Sequence, residues 1–339
     1  MRAGIILLSA GFALAAGIVI ADVAAPGRPI AAERVREFAV PEANQGVGVD
    51  ADHFYAVDNR AIAKYGKAGR ERIAVFEGQK DGPFKHLNSA VVVGGEIYAA
   101  HSNFPDWPAA NSVEVFDPAT MQHVGTHALG IDRGFLTWLD YHDGSWWGAF
   151  ANYNRIFDRS PFAYGNRDNT QVVRFGHDWR IAEAWVLPDE VLEKFGDMSN
   201  SGGSWGPDGR LYLTGHDAAE AYVMERPETG SVLKWVATVP LKNTGQGIAW
   251  DRSTPDVLYG IRRGEGRADN RVTANRIVLG PQTTGSQGAT DERVAVGASR
   301  RSDAARSYPC LISSTLTSPS AVTVQAMVAA RGSMPPWRR

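Results

Sequence analysis

One cysteine stands in 339 residues, Cys310, so an intramolecular disulfide and any CxxC-type metal site are excluded. The net charge is −2, with neither a basic stripe nor an acidic block, so nothing points to nucleic acid or a charged membrane surface as partner. No GxSxG nucleophile motif occurs; SGGSWG at 201–206 does not match it. Lysine is missing from residues 264–339, which also hold only two aromatics, Tyr308 and Trp337. That last absence divides the chain, because the preceding part is dense in Trp, Tyr and Phe.

The N-terminus, MRAGIILLSAGFALAAGIVIADVAAPG, has a short positive start at Arg2, an apolar run from Ile5 to about Ala21, and small residues suited to cleavage after Ala21 or Ala25. Residues 1–25 therefore read as a signal peptide, with an uncleaved anchor as the alternative. A membrane is a partner only in the second case. The mature domain is expected in the periplasm or outside the cell, as a monomer.

What is present is a repeat. HFYAVDNR (53–60), EIYAAHSN (96–103), SWWGAFANYN (145–154), RLYLTGHD (210–217) and VLYGIRR (257–263) share a buried strand ending in polar residues. A small-residue strand and a turn precede each, and a second hairpin follows the first four. From Tyr55 through Tyr98, Trp147 and Tyr212 to Tyr259 the spacings are 43, 49, 65 and 47 residues. Four strands, a to d, in about 40–50 residues is a propeller-blade period. The long interval absorbs a polar loop at 155–169 and a short helix in PDEVLEKFG (188–196). Trp205 and Trp250 are expected to pack between blades.

The fifth unit shows no recognisable c–d hairpin, while ERVREFAVP (33–41) resembles a d strand and would close the ring. The expectation is an all-β, five-bladed propeller over 33–263, with six blades as the alternative. Residues 264–339 read as a disordered tail. Their change of character fits an ending translated out of frame near Gly264; a natural linker and tail is the alternative. NRIVLG (275–280) is the one strand-like stretch there.

In such a ring the b–c and d–a connections share one rim, which carries the long loops 78–88, 102–111, 152–169 and 188–203. The a–b and c–d turns form the other. His53, His142 and His177 fall near the second rim, and His123 and His127 on an outer strand, as solvated or structural residues. The first rim collects His86, His101, His216 and Asp217 as candidates for proton transfer. Around them stand Asn44, Gln45, Asp58, Asn59 and Arg60 from the first repeat, and Asn88, Ser89, Ser102 and Asn103 from the second. Asn152, Asn154, Ser201, Gln246 and Arg262 complete a polar funnel suited to a small molecule. The cofactor is open. A divalent cation is conceivable, with oxygen ligands from Asp58, Asn88, Asn103, Asn152 and Asp217, or Zn²⁺ or iron on the histidines, but no ligand spacing supports it.

The segments VREFAVPEANQGVGVDADHFYAVDNRAIAKY, HLNS, AHSN, SGGSWGPDGRLYLTGHD and QGIAWDRSTPDVLYGI resemble a family of secreted bacterial propeller proteins labelled "cycloisomerase". The resemblance covers about Glu33 to Arg263. More distantly the chain is similar to gluconolactonase and paraoxonase propellers, whose Ca²⁺ cluster includes a glutamate with no match on this rim. The leading expectation is an exported small-molecule enzyme that forms or opens lactones, with His101, His216 or His86 of the rim moving the proton. A non-catalytic propeller holding a sugar, peptide or protein on the same rim is the rival expectation, and a non-functional product of an altered reading frame is the third.

Overall fold

Strand b of each repeat is the most apolar part of its unit, and its burial pattern explains why. In the computed structural model, which describes residues 31–278 except 70, 132 and 158–165, Phe54 to Asp58 are all buried although a lone strand would alternate. Both faces of the strand meet a neighbouring sheet, so both must be apolar. The strands β1(Ala32–Ala39), β2(Gly46–Val49), β3(His53–Asp58), β4(Ala61–Gly66) and β5(Arg72–Glu77) open the chain. Then come β6(His86–Val93), β7(Glu96–Ser102), β8(Ala110–Phe116) and β9(His123–Ile131), followed by β10(Phe135–His142), β11(Ser145–Ala151), β12(Gln171–Phe175) and β13(Ile181–Val186). After helix α1(Asp189–Lys194) follow β14(Gly202–Trp205), β15(Leu211–Thr214), β16(Glu220–Glu225) and β17(Lys234–Pro240), and last β18(Ala249–Trp250), β19(Val257–Arg262) and β20(Arg271–Ile277).

They form five antiparallel four-stranded sheets, β2–β5, β6–β9, β10–β13, β14–β17 and β18–β19–β20–β1. The protein is a five-bladed β-propeller, as the spacing predicts. The fifth sheet corrects one boundary. Arg271–Ile277, placed in the tail by the sequence reading, is strand c of the last blade, and β1 pairs with it from Ala32↔Ile277 to Ala39↔Arg271. The blade is complete and the propeller runs to residue 277, not 263. Residues 279–339 and the expected signal segment 1–25 lie outside the described residues.

Five of the six apolar clusters lie one at each junction between neighbouring blades. Phe38, Phe54 and Tyr259 join the last blade to the first, Tyr55, Leu87 and Phe116 the first to the second, and Val91, Leu136 and Phe175 the second to the third. Trp138, Trp147 and Trp205 fill the third junction and Tyr212 and Trp250 the fourth. The two tryptophans do pack between blades: Trp205 lies edge-on to Trp147 at 4.8 Å, and Trp250 to Tyr212 at 5.1 Å. Innermost, the ring is closed by backbone. A Cβ on Gly46 would lie 2.8 Å from the Asn88 carbonyl and 3.1 Å from Gly247 Cα, so only glycine allows these strands to meet. The sixth cluster sits on the first rim, where Phe135, Ala151 and Tyr153 support Phe104 and Phe157.

Candidate functional site

The connection from β5 to β6, the b–c loop of the second blade and the b–c loop of the third enclose a cavity of about 730 Å³ on the first rim. This is within the ordinary range for small-molecule pockets. Gln45, Asn59, Arg60 and His86, four of the predicted residues, line it. Its remaining walls are Lys80, Asp81 and Lys85 on one side and Phe104, Pro105, Arg155, Ile156 and Phe157 on another.

His86 is the first residue of β6, and its ring packs on Phe104 at 4.9 Å. Its pKa is pushed down to about 3, first by burial and then by its electrostatic coupling to His101, Arg263 and His216. Part of the ring stays open to the cavity even though protein surrounds it on the other sides. It is a neutral imidazole at any ordinary pH.

Arg263 was missed by the sequence reading, which stopped at that residue. It follows β19 and is held by the Asn44 carbonyl and by Gln45 Oε1 at 3.1 Å. Burial lowers its pKa, with Asp217 and Asp58 acting the other way. Among the described residues no carboxylate forms an ion pair with Arg263, Arg60, Lys80 or Arg155. Lys85 does have one, with Asp106 at 2.5 Å. A half-buried guanidinium hydrogen-bonded to neutral oxygens, with carboxylates acting only from beyond ion-pair distance, still attracts an anion.

His216 Nδ1 lies 2.6 Å from Asp217 Oδ1, the neighbour predicted for it. Burial lowers the His216 pKa, Asp217 opposes that, and Arg263 and Arg155 push it further down. Its carbonyl accepts a bond from Gln246 Nε2 at 2.7 Å; Gln246 is buried with φ of 67°, a backbone conformation costly for a side-chain-bearing residue. His216 thus lies in the electrostatic field shared by His86 and Arg263, beside the residues that line the cavity.

His101 has a different role from the one expected. Its ring lies against Phe84 at the junction of the first two blades, outside the cavity lining. Nε2 accepts the Lys85 N–H at 3.2 Å, which assigns the ring proton to Nδ1, and Nδ1 donates to Ser112 Oγ at 2.8 Å. Ser112 donates to Glu114 Oε1 at 2.6 Å, and the buried Glu114 also accepts from His123 and Thr126, each at 2.7 Å. With both nitrogens engaged, His101 braces the loop that carries Lys80, Lys85 and His86. His123, expected to be merely solvated or structural, anchors the far end of that chain.

The other predicted residues serve the frame. Asp58 is paired with Arg267 at 2.5 Å and with Asn44 Nδ2 at 2.8 Å. Asn103 braces its own loop through Pro108 and Ala110, and Asn152 bonds the Arg133 and Asn169 carbonyls. Asn154 caps Arg167 N–H, while Ser102 and Ser201 are buried in strand ends. Asn88 and Ser89 are buried at a bulge in β6, with Asn88 Oδ1 and Ser89 Oγ unbonded. Arg262 turns away to Glu37 at 3.0 Å.

Of the expected oxygen ligands, Asn103 and Asn152 bond their own loop backbone and Asn88 Oδ1 is unbonded. Among the described residues no three His, Cys, Asp or Glu side chains are grouped to hold an ion, and Asp58 and Asp217 are already engaged. Among the described residues around the cavity, Arg60, Lys80 and Arg155 carry charge without an ion-pair partner, and Asp81 is the one carboxylate in the lining, so cations predominate.

No known family profile matches the chain, and no curated protein matches it by sequence. Among solved structures it is similar to the PQQ-bound aldose sugar dehydrogenase of Streptomyces coelicolor, at 11% identity and a TM-score of 0.44 over 75% of this chain and 100% of that one. Virginiamycin B lyase from Staphylococcus aureus gives 13% and 0.38 over 68% and 67%. U3-55K gives 13% and 0.40 over 75% and 100%. All are β-propellers. Enzymes and non-catalytic WD40 proteins both occur among such neighbours, so likeness of fold leaves the activity to be argued from the site.

Proposed function

We propose that the chain is an enzyme that opens or closes a lactone in the first-rim cavity, acting on an anionic small molecule. The observation that carries this is a neutral imidazole, His86, in a cavity lined by Arg60 and Arg155, neither of which forms an ion pair with a carboxylate among the described residues. In the opening direction His86 takes a proton from water as the water oxygen attacks the lactone carbonyl. Arg155, which lines the cavity, lowers the energy of the negative charge that gathers on the carbonyl oxygen, and Arg263 adds the field it already exerts on His86. The ring C–O bond then breaks, and its alkoxide oxygen receives the proton from His86, leaving a hydroxy acid. Ring closure is the same path reversed.

A panel of lactones with the wild type and His86→Gln tests this. A general base contributes about 10²–10⁴-fold, and a loss of that size is expected. Undiminished turnover by His86→Gln removes His86 from the reaction. The second reading, a non-catalytic binding propeller, is favoured by one observation: a pKa near 3 makes His86 a weak base. If wild type turns over no lactone yet retains anions in the cavity, that reading replaces the first. Export also stands as a proposal, resting on the apolar N-terminal run alone, and cell fractionation checks it.

A further inference from the structure

We propose that the ligand of the first-rim cavity is an amphipathic anion, a carboxylate or phosphate carried on an apolar body the size of one or two rings. This rests on the cavity assigned above but not on lactone chemistry. The cavity has two unlike walls with His86 between them. Arg60 and Lys80 present charge without a carboxylate partner among the described residues, in a wall that also holds Asp81 and Lys85. Opposite stand Phe104, Ile156 and Phe157.

The apolar wall is built, not incidental. Phe104 is backed by Phe135 at 5.1 Å, Tyr153 at 5.6 Å and Phe157 at 4.8 Å, so it cannot fold away from a ligand. This cluster joins the b–c loop of the second blade to the third blade at the first rim, so the wall is fixed from two blades at once. Ile156 is 62% exposed at the cavity edge, an unfavourable place for a large aliphatic side chain unless something covers it. Arg155 crosses from one wall to the other: its guanidinium stands 5.7 Å above the Phe157 ring, placing charge directly over an apolar surface. A compact inorganic anion would meet the cations and leave this wall wet. A neutral ring would cover the wall and leave the cations unmatched.

The experiment is calorimetric titration of the full chain with 2-naphthoate, 2-naphthyl phosphate, acetate and neutral 2-naphthylmethanol. Burying about 100 Å² of ring surface predicts naphthoate binding on the order of 50-fold tighter than acetate. Naphthylmethanol should bind at least tenfold more weakly than naphthoate, and whichever of naphthoate and naphthyl phosphate binds tighter identifies the acidic group. Arg155→Gln should weaken naphthoate about tenfold and leave naphthylmethanol unchanged. Ile156→Ser, a substitution at an exposed position that does not threaten folding, should weaken naphthoate and leave acetate unchanged. Acetate equal to naphthoate, naphthylmethanol equal to naphthoate, or no binding by any of the four overturns the proposal. Failure of every lactone to react while this selectivity holds overturns the reaction alone, and reaction of small aliphatic lactones without the selectivity overturns the ligand class alone.

Discussion

The two rims of the propeller use charge in opposite ways. On the second rim, charge joins blades. Buried Asp140 of the third blade accepts from Ser204 Oγ at 3.0 Å and Trp205 N–H at 2.7 Å of the fourth, and pairs with Arg252 beyond β18 at 2.6 Å. Lys67 of the first blade reaches Asp251 at the same distance, tying first blade to last. On the first rim Asp58 and Arg267 also join the first blade to the last, but among the described residues Arg60, Lys80, Arg155 and Arg263 have no such partners. Their mutual repulsion is tolerated because the five inter-blade clusters and the second-rim pairs supply the stability. One rim can be left electrostatically incomplete because the other is not.

Substitutions should separate the rims. The largest effect on stability is expected from Asp140→Ala, which strands Ser204 Oγ, the Trp205 N–H and a guanidinium; about 3 kcal/mol is expected in urea unfolding. Binding of naphthoate by the folded fraction should be unchanged. Loss of binding in proportion would show that the rims are not independent. Next comes acid. In the folded state the pKa of His86 lies far below its ordinary 6.5, so between pH 6.5 and about 3 the unfolded chain takes up a proton that the folded chain does not. Stability should fall as pH drops through that window and recover above it. His101, His142 and His216, also lowered by burial, act in the same direction. His86→Gln should reduce the proton uptake on unfolding by close to one, measured from the pH dependence of the urea midpoint. An unchanged slope would mean that His86 is charged in the fold.

Glu114→Gln is a smaller test, keeping the shape while weakening the bonds from His123, Thr126 and Ser112. A cost of about 1–2 kcal/mol is expected, with weaker naphthoate binding because the bracing of the 79–86 loop loosens. A cost in stability without any change in binding would confine Glu114 to a packing role. The smallest effect is Arg60→Gln. Stability should stay within about 0.5 kcal/mol while naphthoate affinity falls several-fold, the converse of Asp140→Ala.

The architecture was legible because the apolar strand b recurs with an aromatic residue in each copy, and because both faces of such strands are buried. The third strand of the last blade was not. RVTANRI has two arginines and a buried asparagine, and no aromatic; its regularity shows only once Asn275 is seen bonded to the Leu258 carbonyl and Arg276 to Asp256. The long loops pointed to the rim that holds the cavity proposed as the site, but its lining was only partly foreseen. Counting polar residues at strand ends found Gln45, Asn59, Arg60 and His86. It missed Phe104, Phe157 and Lys80, which lie within the same long loops, since a loop's length does not say which of its side chains turn inward. It also gave weight to Asn103 and Asn152, whose polar groups are spent on their own backbone.

The pairing of β1 with β20 carries a consequence for the order of events in folding. Partners Ala32 and Ile277 stand some 245 residues apart, so the strand made first is matched last. Until β20 exists, β1 has no edge to join and the fifth sheet has no outer strand. Closing so long a loop costs entropy that nearby contacts do not repay in advance. The first four blades can each zip from local hairpins, but the ring as a whole forms late, in a step that a circular permutant placing β1 directly after β20 should accelerate.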